Sequence, residues 1–199
     1  MCGEKGRTGT LTSIMAGMAR TFTFLLLIGL AAVPLAADVT NCACDVTRPE
    51  TLKARECSLC VEAERHPDDV TFFILKDTNP RKPNRWLALP RAHTPGPHAL
   101  HLLPKEARTR FWRYAIEQAA ERFGAEWGLA YNGQLMRTQC HMHLHIGRWI
   151  KAAETGKFKL VKRVEDFPAP PDSGILIRPV KGGFLVLTGE QIMETALVR

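Results

Sequence analysis

Residues 137–147 read Arg137-Thr138-Gln139-Cys140-His141-Met142-His143-Leu144-His145-Ile146-Gly147, with three histidines alternating with Cys140, Met142, Leu144 and Ile146. Period two is a strand signature, and successive side chains of a strand point to opposite faces. The stretch therefore predicts one strand, with its apolar residues on a core face and His141, His143 and His145 looking into a cleft. Neighbouring imidazoles on such a face lie roughly 7 Å apart, so a His-x-His pair can share an ion. The outer pair, roughly 13 Å apart at about 3.3 Å per residue, cannot meet one ion with bonds of about 2 Å. The three histidines are thus expected to divide roles: one holds a metal or a structural hydrogen bond, one attacks, and one orients or protonates. A plain metal site and a polar strand face without chemistry are the rival readings. A metallohydrolase on His-x-His would want acidic ligands beside it, and none lies between Asn132 and Lys151.

Outward from this stretch, Trp127 to Tyr131 predicts a preceding strand, and Asn132-Gly133 a tight turn or loop. Lys105 to Phe123, opened by Pro104 and closed by Gly124, predicts a helix. Its buried face would carry Phe111, Trp112, Tyr114, Ala115, Ala119 and Phe123. Thr71 to Lys76 and Arg85 to Leu89 predict two antiparallel strands around a proline-rich loop. Pro95 to Pro97 mark a turn, after which His98 and His101 are loop residues, either of them within reach of a cleft. Residues 51–64 predict a helix carrying cysteines, and His66 a solvated surface histidine. Downstream, 151–157 predicts a short helix and Phe167 to Ser173 a loop. Ile175 to Val180 and Phe184 to Thr188 form a hairpin around Lys181-Gly182-Gly183, and Glu190 to Val198 a terminal helix. The fold class is α+β: an antiparallel sheet of about five or six strands with the long helix on one face. The last hairpin either extends that sheet or covers the cleft.

With 199 residues, 45% of them hydrophobic, the chain suits one domain with a sizeable core. Thr21 to Ala37, TFTFLLLIGLAAVPLAA, follows Arg20 and ends in small residues, the pattern of a signal peptide. Its apolar run is short against the roughly 20 residues of a membrane span. The expectation is export, with residues 1–37 a signal peptide or N-terminal anchor and 38–199 a single domain in the periplasm or on the outer face of the inner membrane. Residues 1–37 carry Lys5, Arg7 and Arg20 against Glu4, so the chain's +7 less that +2 leaves +5. Such an excess suits phosphate-bearing substrates or an anionic membrane surface, and it does not argue for nucleic acid. Cys42, Cys44, Cys57 and Cys60 crowd the start of the domain. Export permits disulfides, Cys44–Cys57 and Cys42–Cys60 being the expected pairs. Zinc is the rival, since Cys57-x-x-Cys60 has ligand spacing. Cys140 reads as a small core residue.

His-x-His-x-His with apolar spacers resembles the histidine-triad (HIT-like) superfamily of nucleotide hydrolases and transferases. The run from Asp77 through Pro80, Pro83 and the strand to Pro90-Arg91-Ala92-His93 resembles the same superfamily's Asp-x-x-Pro…Pro, strand, Pro-x-x-His block. Leu75-Lys76-Asp77, Arg137-Thr138-Gln139, Gly174 to Arg178 and Gly183 to Leu187 are most similar to its CDP-diacylglycerol pyrophosphatase branch. The resemblance spans about residues 44–199. Arg85 stands where many members carry a fourth histidine; it either offers a fork to a phosphate or simply flanks a strand.

The resemblance implies a HIT-like sheet and a phosphoric anhydride hydrolase that converts CDP-diacylglycerol to CMP and phosphatidate. Neutral His143 would attack the α-phosphorus to form a nucleotidyl-histidine that water then releases. A backbone carbonyl on the other ring nitrogen would fix its tautomer. His145 would bond a phosphate oxygen or the leaving group, and His141 would do the same or bind zinc. Asp77 is either a ribose ligand or a turn former; Thr138 and Gln139 would donate to phosphate oxygens, and Arg137 would offset transition-state charge. No cofactor is required. In members that bind zinc, the corresponding set here would be Cys57, Cys60, His93 and His141. The alternatives are another HIT-type hydrolase or nucleotidyl transferase on a soluble substrate, and a non-catalytic zinc or nucleotide-binding module.

Overall fold

In the computed structural model, the described residues are Val39, 42–92, 98–153 and 157–199. The apolar N-terminal stretch, His93, the turn at Pro95 to Pro97 and part of the helix expected at 151–157 lie outside them. The described residues all belong to one compact unit, Leu35–Arg199.

The fold is α+β, with one seven-stranded antiparallel sheet. Its strands are β1 Phe72–Lys76, β2 Trp86–Pro90, β3 Trp127–Tyr131, β4 Leu144–Arg148, β5 Lys159–Val161, β6 Ile175–Val180 and β7 Gly183–Thr188, in spatial order β1-β2-β4-β3-β6-β7-β5. The sheet exceeds the expected five or six strands because the last hairpin extends it and because Lys159–Val161, too short and polar to read as a strand, pairs with β7. Gly182 has φ 86° in the two-residue turn between β6 and β7, backbone that a side chain disfavours.

Pleating sorts the strand residues onto two faces. Leu144 and Ile146 of β4, Leu129 and Tyr131 of β3, Ile175 and Ile177 of β6 and Ala88 of β2 share one cluster with Phe111, Trp112, Ala115 and Ala119. The last four lie on helix α2, Lys105–Phe123, which covers that face with the expected bounds. On the opposite face, helix α1, Ser58–Glu64, packs its Leu59 and Ala63 on Phe73, Leu87 and Leu89. At the other end of that face Met193, Ala196 and Leu197 pack on Ala130, Leu176 and Leu187. The terminal helix expected there is absent: only Glu194–Ala196 makes a 3₁₀ turn. The tail is instead hydrogen-bonded to the sheet, Val198 N–H to Arg148 O (2.8 Å) and Ile150 N–H to Ala196 O (2.9 Å). Gly128 and Gly147, paired across β3 and β4, make room for it: a Cβ on Gly128 would lie 2.5 Å from Leu197 Cδ2. His66, expected in solvent, stacks on Phe73 with ring centroids 3.9 Å apart.

Cys44–Cys57 forms as expected, but Cys42 is bonded to Cys140 rather than to Cys60. Cys140 is thus a cross-link and not a plain core residue. Cys60 remains a buried free thiol, pushed up to about 11 by burial. The Cys42–Cys140 bond joins residues 98 apart in the chain and ties the start of the domain to the residue beside His141. Its removal in Cys42→Ala/Cys140→Ala should cost about 4 kcal/mol by relaxing the unfolded chain. Urea unfolding of the double variant measures this, and a loss below about 1 kcal/mol would contradict it.

Candidate active site

The two covers on the second face, α1 and the tail, leave a cleft between them. Its floor is Leu75, Leu87, His143 and His145; its walls are Ser58 and Leu59 of α1, the loop from Asp77 to Lys82, residues from Asn132 to Gln139, and Glu194 of the tail. The pleat that sends Leu144 and Ile146 to the α2 side sends His145 to this one.

The three histidines do not share a strand face. β4 begins at Leu144, so only His145 lies on it; His141 and His143 precede it in irregular chain. The reason lies in Cys140 and its neighbours. The Cys42–Cys140 bond and the Cys140 N–H to Glu56 O bond (2.8 Å) hold this segment to the N-terminal elements rather than to a neighbouring strand. His143 and His145 meet in the cleft, edge to face, with ring centroids 4.9 Å apart. His141 is fully buried away from the cleft lining; its Nε2 lies 2.7 Å from Pro90 O, and its ring packs on His98. What His141 contributes to the cleft is its backbone: His143 Nδ1–H donates to His141 O at 2.9 Å. That bond leaves Nε2 of His143 as the basic nitrogen. Burial, assisted by the Arg137 charge, pushes His143 down to about 4, so it is neutral at physiological pH. His145 is also driven well below the ordinary imidazole value, first by burial and then by His143.

Arg137 is 2% exposed. It donates from Nη1 to His98 O and lies over the Tyr131 ring, 5.6 Å from its centroid. Its Nε and Nη2 have no hydrogen-bond partner among the described residues. A buried guanidinium without a carboxylate is costly, and this one lines the cleft beside His143. Thr138 is exposed on the rim. Gln139 lines the cleft, but its amide is occupied: Oε1 accepts from Ser58 Oγ (2.7 Å) and Leu59 N–H (3.2 Å), and Nε2 donates to Arg55 O (3.1 Å). It fastens the histidine segment to α1 rather than offering donors to a ligand. Asp77 Oδ1 accepts from Asn79 N–H at 2.9 Å, a turn-forming contact, while the residue still lines the cleft.

Arg85 flanks β2, one of its two expected readings, and its fork is turned to the tail rather than to the cleft. It is 1% exposed and donates to Glu194 Oε2 (2.8 Å) and to the carbonyls of Glu194 (2.5 Å), Leu197 (2.7 Å) and Val198 (2.9 Å). It is the clamp that holds the tail on the sheet. Glu194 is the cleft residue that sequence reasoning missed. Burial pushes its carboxyl up, but Lys82 and Arg85, with His145 whenever that ring is charged, outweigh burial and hold it well below the usual carboxylate range. Lys82 (2.5 Å to Glu194 Oε2) and Asn132, whose Oδ1 accepts from Met193 N–H and Glu194 N–H, were also missed. No local motif marks Glu194, which joins the cleft through a tail laid across the sheet.

The zinc set is broken at Cys57, whose sulfur is committed to Cys44; His93 lies outside the described residues. The sulfurs of Cys44, Cys57 and Cys140 do lie within 4.8 Å of one another, geometry a metal can use, but all three are in disulfides, and zinc needs thiolates. Two disulfides are the mark of an oxidising, extracellular-type compartment. Among the described residues no helix is long and apolar enough to cross a membrane.

No protein-family model matches the sequence, and no curated protein is matched by it.

Proposed function

We propose that this protein is a phosphoric anhydride hydrolase of the HIT-like superfamily that cleaves CDP-diacylglycerol to CMP and phosphatidate through a nucleotidyl-histidine on His143. The observation that carries the reading is the His143 ring: Nδ1–H held by the His141 carbonyl at 2.9 Å, Nε2 left basic, and a buried guanidinium with unused donors lining the same cleft. That is a nucleophile kept neutral beside a built-in anion site, the two things that transfer of a phosphorus centre needs. Nε2 attacks the α-phosphorus, the P–O bond to the leaving phosphate breaks with its electron pair on oxygen, and water later displaces the nucleotide from the imidazole. Arg137 faces charge on the non-bridging oxygens, and Lys82 is a second cation in reach of the anion. The lipid half of the substrate, the membrane surface as partner and export to the periplasm belong to this proposal, and rest on the motif resemblance and the N-terminal apolar run.

The test is CMP release from CDP-diacylglycerol in detergent micelles with EDTA present, beside a soluble sugar nucleotide. Release from the lipid substrate supports the reading. Release from the soluble substrate alone moves the protein to another HIT-type hydrolase or transferase.

The pH profile follows from the His143 environment. Attack needs neutral His143, and its proton affinity is pushed down to about 4. The acid limb of kcat/KM, which reports the free enzyme, is therefore expected near pH 4. A limb near pH 6.5, the value of an unperturbed imidazole, would contradict a buried His143 nucleophile.

A further inference from the structure

Four groups from different parts of the chain face His145: His143 from the segment before β4, Lys82 from the β1–β2 loop, Arg85 from the start of β2 and Glu194 from the tail. The two cations are held differently. Arg85 spreads four donor contacts over the tail backbone and Glu194, and cannot leave without freeing the tail. Lys82 has one side-chain partner among the described residues, Glu194 Oε2, and its flexible stem stands in the cleft. His145 Nδ1 is buried and lacks a hydrogen-bond partner among the described residues. The nearest carboxylate oxygen is the same Oε2 of Glu194, at 3.6 Å, too long for a hydrogen bond. One oxygen, already held by Arg85 Nη1 at 2.8 Å, thus stands between a movable ammonium and an unsatisfied ring nitrogen.

We propose that Glu194 is the positioning residue for His145: an anion entering the cleft draws Lys82 off Glu194, and the released oxygen takes the His145 Nδ1–H. His145 is then held as an imidazolium with Nε2–H available to the leaving group. When the His143 Nε2–P bond forms and the bridging P–O bond breaks, the electron pair stays on the leaving oxygen and His145 Nε2 supplies its proton. Neutral His145 takes a proton back from the attacking water in the second step. Glu194 touches neither substrate nor phosphorus; it acts by exchanging one cationic partner for another. This rests on the phosphoryl-transfer reading of the cleft, and the experiment below separates the two.

The test is a ¹⁵N-detected titration of the histidine rings in the full chain, free and with saturating CMP, for wild type, Glu194→Gln and Lys82→Met. In the wild type, CMP should raise the His145 pKa by about one unit or more, and Glu194→Gln should remove that rise. Lys82→Met should raise the His145 pKa without any ligand, because its Oε2 is already released. A Glu194→Gln protein that keeps the CMP-induced rise, or a Lys82→Met protein with unaltered His145, overturns the proposal. If CMP does not bind, the nucleotide reading fails, while Lys82→Met in the free protein still decides the role of Glu194. The same variant decides it should Glu194→Gln fail to fold. Loss of the Lys82 charge alone also raises His145, so the deciding signal in Lys82→Met is the His145 Nδ1–H itself: a downfield, slowly exchanging proton hydrogen-bonded to Glu194 is expected, and a role of Glu194 confined to holding the tail would leave that proton unbonded.

Discussion

Replacing His143 with alanine is expected to lower kcat for CMP release by at least about 10³-fold while the protein stays folded. The size follows from the role: loss of a covalent nucleophile leaves only the binding and charge stabilisation of the rest of the site, and in other hydrolases such losses run to about 10⁴–10⁶-fold. Preservation of the fold follows from the position. The ring lies in the cleft floor and, among the described residues, makes one hydrogen bond, to a carbonyl next in sequence but one. Alanine leaves that carbonyl the option of water. The measurement is kcat beside the urea midpoint of the same preparation. A His143→Ala enzyme within about tenfold of wild type would remove the nucleophile assignment.

Arg137→Met is expected to lower kcat by about 10²–10³-fold, the range seen when a preorganised donor to a developing oxyanion is lost, and to leave stability unchanged or higher. The second half distinguishes a functional arginine from a structural one. Arg137 is 2% exposed, with no carboxylate partner and two unused donor atoms among the described residues. A buried charge of this kind costs folding free energy, and an apolar chain of similar length relieves the cost. Methionine gives up the contact to His98 O and the stacking on Tyr131, which are modest. An enzyme that loses stability by several kcal/mol in Arg137→Met while retaining activity would mean that the guanidinium serves the fold. Arg137→Lys is not expected to rescue, because an ammonium cannot reproduce a planar fork over Tyr131.

The parts of this structure that were legible in the sequence were those with local periodicity or punctuation. Helix α2 between Pro104 and Gly124 and the strand Trp127–Tyr131 appear with the bounds expected, and β1, β2 and the last hairpin within a residue or two. Cys44–Cys57 was legible because it closes a short loop. The histidine alternation misled in one respect. It placed three rings on one face, whereas the Cys42–Cys140 cross-link and the Gln139 clip to α1 stop the segment from pairing before Leu144, so only His143 and His145 share the cleft. Contacts 98 residues apart carry no periodic signal. The same holds for Glu194: Glu190 to Val198 reads as a terminal helix, and only the flat patch left by Gly128 and Gly147 draws it out along the sheet. Arg85 read as either a phosphate fork or a strand flank because its partners are carbonyls more than a hundred residues away. Those partners turn a polar residue at a strand entrance into the clamp of the tail.

The central claim is a covalent bond between His143 and the nucleotide phosphorus, and the most direct measurement is to trap it. The enzyme is mixed with a slight molar deficit of CDP-diacylglycerol labelled in its cytidylyl phosphate, quenched in alkaline denaturant that preserves phosphoramidates, and mapped by peptide mass spectrometry. A cytidylyl group on the peptide at His143, formed before CMP appears and decaying as it accumulates, is the expected result. A full single turnover with no adduct at any time, or an adduct on another residue, would contradict it.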